Sequence, residues 1–292
     1  MPARTGTPES HRSGAPFHPG EIEAQISAGG GPAASGMRSF LSEHQRAFFE
    51  ALPYVLAGSV EGGWPAATLF AGKPGFISGP DPHTLTLSAG LDPEDPGQRS
   101  IAQGGPAALL GIDLAARRRS RANGIVTSAS PRGFTVGVQQ AFGNCPQYIH
   151  ARDFKPLPDG WLGIETLAGL DREAREELAR ADTFFVATAA RTGDPRGGAD
   201  ISHRGGWPGF VRFDGETLTI PDFSGNRYFN TLGNLVSNPR AALLFVDFAR
   251  GGLLHLQGTT EIVWDGPEVR ETEGAERLWR LRVERGWRRR VR

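Results

Sequence analysis

The fold of this chain is decided by ADISHRGGWPGFVRF (residues 199–213), TLTIPDFSGNR (residues 217–227) and NPRAALLFVDF (residues 238–248). They contain short β-rich runs, GFVRF, TLTIP and AALLFVDF, broken by Gly, Pro, Asn or Asp, which is typical of short strands and tight turns. Between the second and third stretches, apolar residues recur at helical spacing up to Asn238 and Pro239. This spacing predicts a helix that begins at an N-cap, Ser224, and ends before the proline.

A weaker copy of the same pattern lies about 134 residues earlier in the chain. It reads TLFAGKPGF (residues 68–76), TLTL (residues 84–87) and AALLGIDL (residues 107–114). Residues 107–124 align with residues 241–258 without a gap and match at both Ala–Ala–Leu–Leu runs. A repeat of this period is too long for a solenoid unit and predicts two similar domains in one chain.

Length and composition agree with two domains of ordinary size. The chain has 292 residues and a formal net charge of zero, so no overall field attracts nucleic acid or an anionic membrane. Cys145 is the only cysteine, which excludes an internal disulfide and a thiolate-rich metal site. No apolar run approaches membrane-spanning length, and the N-terminus lacks the core of a signal peptide. We therefore expect a cytoplasmic protein with no membrane partner, no nucleic-acid partner and no metal site.

The composition along the chain predicts five segments. Residues 1–36 are rich in Gly, Pro and Ser and predict a flexible arm, and residues 153–169 predict a linker. Residues 37–152 and 170–266 are the two β-rich domains, with short runs broken by Gly and Pro as in an antiparallel barrel. Residues 267–292 predict an Arg-rich amphipathic helix. The expected class is mainly β with flanking helices.

The Ser-Gly-Asn-Arg stretch carries the clearest chemistry in the sequence. The first turn of a helix leaves backbone N–H groups unpaired, and the helix dipole adds positive charge there. Gly225 lets a ligand approach the backbone, Ser224 offers a hydroxyl, and Arg227 can bind two phosphate oxygens at once. Arg204, on the neighbouring strand, supplies a second cation. The pattern predicts a site for a terminal phosphate.

The first copy lacks these features. Phe70 stands where the second copy has Arg204, and Asp92, Glu94 and Asp95 precede the PGQR that matches SGNR. Carboxylates at this place would repel a phosphate. We therefore expect one phosphate site per chain, in the second copy.

Taken together, these motifs resemble the pyridoxamine 5′-phosphate oxidase-related, flavin-nucleotide-binding family with the FMN-binding split-barrel fold. The resemblance is close over about 80 residues of the second copy and looser in the first. It implies two tandem split β-barrels that form an internal pseudo-dimer, with FMN as the cofactor. It also leaves room for a homodimer of the whole chain.

The resemblance implies roles for particular residues. The strand Ala199 to Ser202 would run along the isoalloxazine ring, Arg204 and the SGNR turn would hold the phosphate, and residues 219–222 would flank the ring edge. His203 and His255 are either hydrogen-bonded structural residues or proton donors to a substrate. The cofactor-binding residues expected on this basis are Ala199, Asp200, Ile201, Ser202, Arg204, Ile220, Asp222, Ser224, Gly225, Asn226 and Arg227.

The resemblance implies an FMN-dependent oxidoreductase that takes electrons from NAD(P)H or another donor and passes them to an unknown acceptor, such as a partner protein. No pyridoxamine phosphate site is recognisable, and no side chain is identified as a catalytic acid or base. The alternatives are a flavin-binding or sensing protein without turnover, or a barrel that binds haem or a deazaflavin.

Overall fold

The computed structural model describes residues 16–31, 36–154, 161–191 and 197–291. Within these ranges there are fifteen strands and six helices. The helices are α1 (Pro19–Ser27), α2 (Glu43–Ala51), α3 (Pro96–Arg99), α4 (Arg172–Arg180), α5 (Asn230–Ser237) and α6 (Pro267–Glu271).

The strands form two antiparallel sheets, one in each half of the chain. The first contains β1 (Tyr54–Glu61), β2 (Trp64–Ala71), β3 (Ile77–Ser78), β4 (Thr84–Leu87), β5 (Pro106–Asp113), β6 (Arg118–Ser130) and β7 (Gly133–Gly143). The second contains β8 (Trp161–Leu167), β9 (Thr183–Ala189), β10 (Ala199–Gly205), β11 (Arg212–Asp214), β12 (Thr217–Phe223), β13 (Arg240–Val246), β14 (Leu253–Val263) and β15 (Ala275–Val291).

The two sheets share one strand order. The first is arranged β2-β1-β5-β6-β7-β4-β3 and the second β10-β9-β13-β14-β15-β12-β11, so each strand of one half has a counterpart in the other. Strand β8 is an addition that pairs only with the far end of β15. This architecture confirms the predicted fold class, mainly β with two similar domains in one chain.

Three apolar cores hold the two sheets together. One core lies inside each half, and a third lies between the halves. Leu56 and Leu110 of the first sheet meet Ile201 and Leu244 of the second in this shared core. Because β1, β5, β9 and β13 are buried along nearly their whole length, both faces of these strands read as apolar. The shared core fixes how the halves sit against each other.

The predicted C-terminal helix is wrong. Residues 275–291 form the long strand β15, which pairs with β12, β14 and β8. Trp279 and Val283 have helical spacing, but Leu281 between them is also buried, and Arg280 and Arg282 alternate with these residues. An alternation of period two is the strand pattern, and it places the arginines on the opposite face.

Two further segments differ from the expectation. The arm contains helix α1, which begins at the N-cap His18 and carries a capping box with Glu21, so its Gly- and Pro-rich composition hid a structured element. The expected linker contains β8, which completes the sheet edge beside β15. The remaining parts of these two predictions, residues 1–15, 32–35 and 155–160, lie outside the described residues.

Helix α1 packs tightly across α5. A Cβ on Gly20 would lie 2.3 Å from the Gly233 carbonyl oxygen, and a Cβ on Gly233 would lie 2.4 Å from the Glu21 Cα. The backbones of the two helices therefore touch at a point that only glycine permits. This crossing brings the Glu21 carboxylate against Asn230, whose side-chain amide donates to it at 2.5 Å.

The helix crossing predicts the effect of Gly233→Ala. The added methyl has no space against Glu21, so we expect α1 to be displaced and the free energy of unfolding to fall by about 1–3 kcal/mol, less the helix-propensity gain of alanine. Thermal unfolding measures the loss. Gly143→Ala is the control, because a Cβ there meets nothing within 4 Å. Equal unfolding temperatures for the two variants would contradict the crossing.

Burial gives Glu21 a second measurable property. Burial, and the nearby Asp200 charge, raise the pKa of this carboxyl from its ordinary 4.5 to about 7, against hydrogen bonds from His18 and Asn230 and the charge of Arg121. A pKa raised in the folded state contributes stability that is complete below pH 4.5 and is lost as the pH rises through 7.

The Glu21→Gln variant should not show this loss of stability with rising pH. We expect the difference in unfolding free energy between wild type and variant to change by up to about 3 kcal/mol from pH 5 to pH 8, with wild type losing more. Thermal unfolding of both proteins across this range is the measurement. Parallel pH curves would show that Glu21 titrates normally.

Candidate functional site

The site lies in a cleft between the two halves of the chain, which we call the interdomain cleft. One wall comes from β10, β12 and the segment before α5, and the other from β6 and the residues that follow β7. Its volume of about 120 Å³ is below the size of a typical whole-ligand pocket, so it fits one end of a ligand. The lining includes Arg119, Arg121, Cys145, Tyr148, Ser202, His203, Arg204, Asp222, Ser224, Gly225, Asn226, Arg227, Asn230 and Arg277.

Seven of the eleven predicted cofactor-binding residues line this cleft: Ser202, Arg204, Asp222, Ser224, Gly225, Asn226 and Arg227. Ala199 and Asp200 lie further along β10 and line a neighbouring cavity. Ile201 and Ile220 point the other way. Both are fully buried, Ile201 in the core shared by the two halves and Ile220 in the core of the second half.

The structure corrects the helix that was expected to begin at Ser224. Helix α5 begins at Asn230, and the SGNR segment before it is irregular. Arg227 and Phe229 have φ values of 60° and 57°, in the left-handed region, so the chain cannot continue as a helix through them. The side chain of Asn226 accepts from the Tyr228 N–H at 3.1 Å, as in an Asx turn. The exposed SGNR segment is therefore a loop at the edge of the cleft.

Arg204 is not a free cation. Its guanidinium is ion-paired with Asp222, and Arg277 binds the other oxygen of the same carboxylate at 2.6 Å. Arg277 was missed in the sequence because residues 275–291 read as a helix. In the strand that forms instead, Arg277 is the direct cross-strand neighbour of Asp222. Two predicted residues, Arg204 and Asp222, thus form one ion-paired group with a third that the pattern did not reveal.

The first half also contributes arginines that sequence reasoning missed. Arg119 and Arg121 lie two positions apart on β6, so their side chains share one face of the strand, which faces the cleft. Arg121 is ion-paired with the buried Asp200 at 2.9 Å. The signal in the sequence was the cluster of four arginines in residues 117–121, in a domain that was expected to hold no ligand.

Arg119 has no carboxylate partner among the described residues. Its guanidinium donates to the Cys145 carbonyl at 2.7 Å and to His203 Nδ1 at 3.0 Å. Burial, and the charges of Arg121 and Arg204, lower the pKa of this group to about 9, which still leaves it cationic at neutral pH. A buried positive charge without a counter-ion is costly, and a bound anion would relieve it.

Several residues that line the cleft have buried polar atoms without hydrogen-bond partners, which also favours a bound anion. They include the Nε atoms of Arg119, Arg121 and Arg204, and Nε2 of His203. Because Arg119 can only donate, His203 Nδ1 must accept, and the proton of the neutral ring is then on Nε2. Burial and the surrounding arginines hold the pKa of His203 well below its ordinary value, which keeps the ring neutral. All four of these unpaired atoms are therefore N–H donors.

The overall charge of the site is positive. Five arginines and two carboxylates, Asp222 and Glu276, line the cleft, and Asp200 pairs with Arg121 from behind it. Five positive charges against three negative ones leave a net charge of +2. Unpaired donors, a net charge of +2 and a small volume together suit a small anionic group such as a phosphate.

At the corresponding position of the first half, the protein supplies its own ion pair. The buried Asp95 carboxylate accepts from the Gly97 and Gln98 N–H groups at 2.8 and 3.3 Å, at the start of α3. The same carboxylate binds Arg289 of β15 at 2.8 Å, and Asp92 binds that guanidinium at 2.5 Å. Thr68, which matches Ser202, also donates to Asp95. An internal anion and an internal cation thus occupy the place where a phosphate would bind.

The two uncertain histidines have different surroundings. His203 lines the cleft, as described above. His255 does not; it is fully buried, stacks on Trp287 with ring centroids 4.9 Å apart, and its Nδ1 is 3.0 Å from the Ala67 carbonyl oxygen. Because a carbonyl oxygen only accepts, His255 Nδ1–H donates. This arrangement is that of a structural histidine.

Comparison with solved structures finds chains of similar fold at low identity. HupZ from Group A Streptococcus is 19% identical with a TM-score of 0.33, covering 40% of this chain and 91% of that one. An FAD-binding protein from Mesorhizobium loti is 14% identical with a TM-score of 0.30, covering 43% and 97%. HutZ from Vibrio cholerae, described as a heme storage protein, is 16% identical with a TM-score of 0.28, covering 41% and 93%.

At these identities and TM-scores, the matches say what the chain is similar to and nothing about what it does. A comparison with curated proteins gives no match. No helix in the described part of the chain is long and apolar enough to cross a membrane. The decisive comparison is with protein-family models, where residues 170–287, which span β9 to most of β15, match pyridoxamine 5′-phosphate oxidase. Residues 170–287 are therefore similar to the pyridoxamine 5′-phosphate oxidase family.

Proposed function

We propose that this protein is an FMN-binding oxidoreductase with one flavin site per chain, located at the interdomain cleft. The observation that carries this proposal is the uncompensated positive charge of Arg119, together with the four unpaired N–H donors on residues that line the cleft. A phosphate dianion supplies both the charge and the acceptors that this cleft lacks. The electron donor would be NAD(P)H, and the acceptor a small molecule or a partner protein.

The chain's own residues would divide the work of holding the cofactor. Arg119 and His203 would donate to phosphate oxygens from the inner wall, and Ser224 and Arg227 from the exposed loop. The Asp222 carboxylate, held by Arg204 and Arg277, would keep the two arginines fixed rather than bind the ligand itself. A site built of such pre-paired groups loses little conformational entropy when the ligand binds.

Strand β10 links the phosphate end to the place where the ring is expected. Its later residues, Ser202 and Arg204, line the cleft, while Ala199 and Asp200 line the neighbouring cavity. The Ser202 hydroxyl donates to Asp200 at 2.9 Å and accepts from Thr231 at 3.0 Å, so the strand is rigid here. When bound, the flavin supplies the electron chemistry; the protein positions it and controls access of water and of the acceptor.

The competing function is a flavin-binding or sensing protein without turnover. The geometry does not separate it from the enzyme, because a phosphate site is common to both. Haem and deazaflavin barrels are further outcomes, and they differ in the molecule that is bound. Each outcome gives a different result in the experiments below.

The first experiment compares Arg227→Ala with its matched control, Arg99→Ala. Arg227 lies in the SGNR loop, whereas Arg99 holds the equivalent position in the first half and pairs at the surface with Glu61. Loss of a charge-assisted hydrogen bond should weaken FMN binding by roughly 1.5–3 kcal/mol, or about 10- to 150-fold in Kd, for Arg227→Ala alone. Both arginines are exposed, so both variants should fold.

Flavin fluorescence quenching in a titration of the full chain with FMN measures both constants. Equal losses in the two variants would show that both halves bind the cofactor. A wild-type protein that binds haem or a deazaflavin in place of FMN would overturn the choice of cofactor.

The second experiment tests for turnover. With FMN bound, NADH or NADPH should be oxidised in the presence of oxygen or a quinone, and the absorbance at 340 nm should fall at a rate proportional to bound FMN. Arg99→Ala should retain this rate, and Arg227→Ala should lose it in parallel with its FMN content. A flavin that binds tightly but is not reduced by either nucleotide would favour the sensing protein.

A further inference from the structure

A further cavity, which we call the arginine cavity, lies at the surface of the first half. It has a volume of about 450 Å³, within the range of sites that hold a small ligand. Its walls come from the first turns of α2, the start of β6 and the residues around the end of β7. Three exposed arginines, Arg38, Arg117 and Arg118, are part of its lining.

The positive charge of the arginine cavity is not balanced locally. None of the described residues in its lining has a carboxylate, and none of the three guanidiniums is in an ion pair within the described part of the chain. Asp113, the cross-strand neighbour of Arg118, lines a different cavity and accepts from the Ala116 N–H at 2.9 Å. A concave surface lined by charges of one sign concentrates ions of the opposite sign. The arginine cavity is therefore suited to an anionic ligand.

Aromatic rings hold two of these guanidiniums, and most of their N–H donors stay available. Cζ of Arg118 lies 5.0 Å from the centroid of the Phe48 ring, and Nη2 of the same residue donates to His44 Nε2 at 2.8 Å. Cζ of Arg38 lies 5.8 Å from the centroid of the Phe40 ring. A guanidinium has five N–H donors; Arg118 uses one of them on the described residues and Arg38 uses none. Because both side chains are exposed, a ligand can reach the remaining donors.

The arginine cavity adjoins both places that the flavin is proposed to occupy. Arg38 also lines the cavity where the flavin ring is expected, and Arg119 and Asn144 also line the interdomain cleft. A nucleotide that delivers a hydride to the flavin must place its nicotinamide ring beside the flavin ring. The phosphorylated end of that nucleotide then needs a neighbouring space, and the arginine cavity supplies one with complementary charge.

We propose that the arginine cavity binds the 2′-phosphate of NADPH, so that this protein takes its electrons from NADPH in preference to NADH. The 2′-phosphate is a monoester with up to two negative charges, and guanidiniums bind its oxygens through paired N–H groups. NADH has a hydroxyl at the same place and leaves the three positive charges unbalanced. The identity of the electron donor rests on the proposed oxidoreductase function, but binding of a 2′-phosphorylated adenosine is measurable without turnover.

The test is a calorimetric titration of the full chain with adenosine 2′,5′-bisphosphate, after saturation with FMN to fill the interdomain cleft. Adenosine 5′-monophosphate, which lacks only the 2′-phosphate, is the paired probe. We expect the bisphosphate to bind at least about tenfold more tightly, because the monophosphate lacks the charge-assisted hydrogen bonds of the extra phosphate. Equal affinities, or no binding of either probe, would overturn the proposal. Displacement of the bisphosphate by an equal concentration of inorganic phosphate would identify a free anion as the ligand and exclude the nucleotide.

Arg118→Ala and its matched control, Arg132→Ala, locate the bound bisphosphate. Both arginines are exposed on the first half, but Arg132 lies in the turn after β6 and does not line the arginine cavity. We expect Arg118→Ala to weaken bisphosphate binding about tenfold and monophosphate binding by less than about twofold, and Arg132→Ala to change neither. Unchanged bisphosphate binding in Arg118→Ala, or an equal loss for both probes, would contradict the assignment. If Arg118→Ala fails to fold, Arg38→Ala takes its place.

Turnover separates failure of this inference from failure of the proposed function. With FMN bound, kcat/KM for NADPH should exceed that for NADH at least about tenfold, and Arg118→Ala should reduce this ratio. Equal values for the two nucleotides in wild type would overturn the preference for NADPH and leave the oxidoreductase intact. If FMN does not bind, or neither nucleotide is oxidised, the proposed function fails. The two adenosine probes, titrated into the protein alone, then decide whether the arginine cavity binds the 2′-phosphate.

Discussion

The rest of this structure depends on the burial of β1, β5, β9 and β13 on both faces. Leu109 packs inside the first half and its neighbour Leu110 packs against the second, and Leu243 and Leu244 do the same in reverse. Neither half could expose such strands to water, since each apolar side chain left exposed forfeits about 1.5–3 kcal/mol. The two halves therefore form one body, and the polar groups at their shared boundary are brought together as a consequence.

Two structurally equivalent positions lie at this boundary, one in each half. They differ in whether a side chain of the protein or a ligand supplies the anion. In the first half Asp95 caps α3 and receives Arg289, so charge and hydrogen bonds are satisfied within the chain. At the second-half position Arg119, which the first half contributes, has no carboxylate partner among the described residues, and an irregular loop replaces the short helix. A duplicated scaffold can thus keep one position as a structural ion pair and leave the other open to a ligand, without altering the strand order.

Much of the fold could be predicted from local patterns. The repeated Ala–Ala–Leu–Leu runs and the short β-rich segments correspond to strands of the structure. Residues 275–291 could not be predicted as a strand from local pattern. The helical spacing of Trp279 and Val283 coexists with strand alternation, and the pairing with β12 and β14 is what makes the segment a strand. Helix α1 was hidden by the Gly- and Pro-rich composition of the arm; besides its capping box, it is stabilised by contact with α5 at Gly20 and Gly233.

The candidate site was also predictable only in part, because its contacts depend on residues that are distant in the sequence. The SGNR loop and Arg204 follow from a local motif, but the partners that define their chemistry come from distant strands. Arg277 reaches Asp222 across a strand pair, and Arg119 reaches His203 across the boundary between the halves. Sequence spacing does not encode such contacts; the register of the sheets and the shared core create them.

We propose that the second-half position takes its anion from a ligand, whereas Asp95 and Arg289 satisfy the first-half position within the chain. The most direct measurement is the stoichiometry and mass of the small molecule released from the purified protein by heat denaturation. We expect one FMN per chain, and none from a variant in which only the second-half site is disabled. Two flavins per chain would show that the Asp95–Arg289 pair does not close the first position, and would contradict the account.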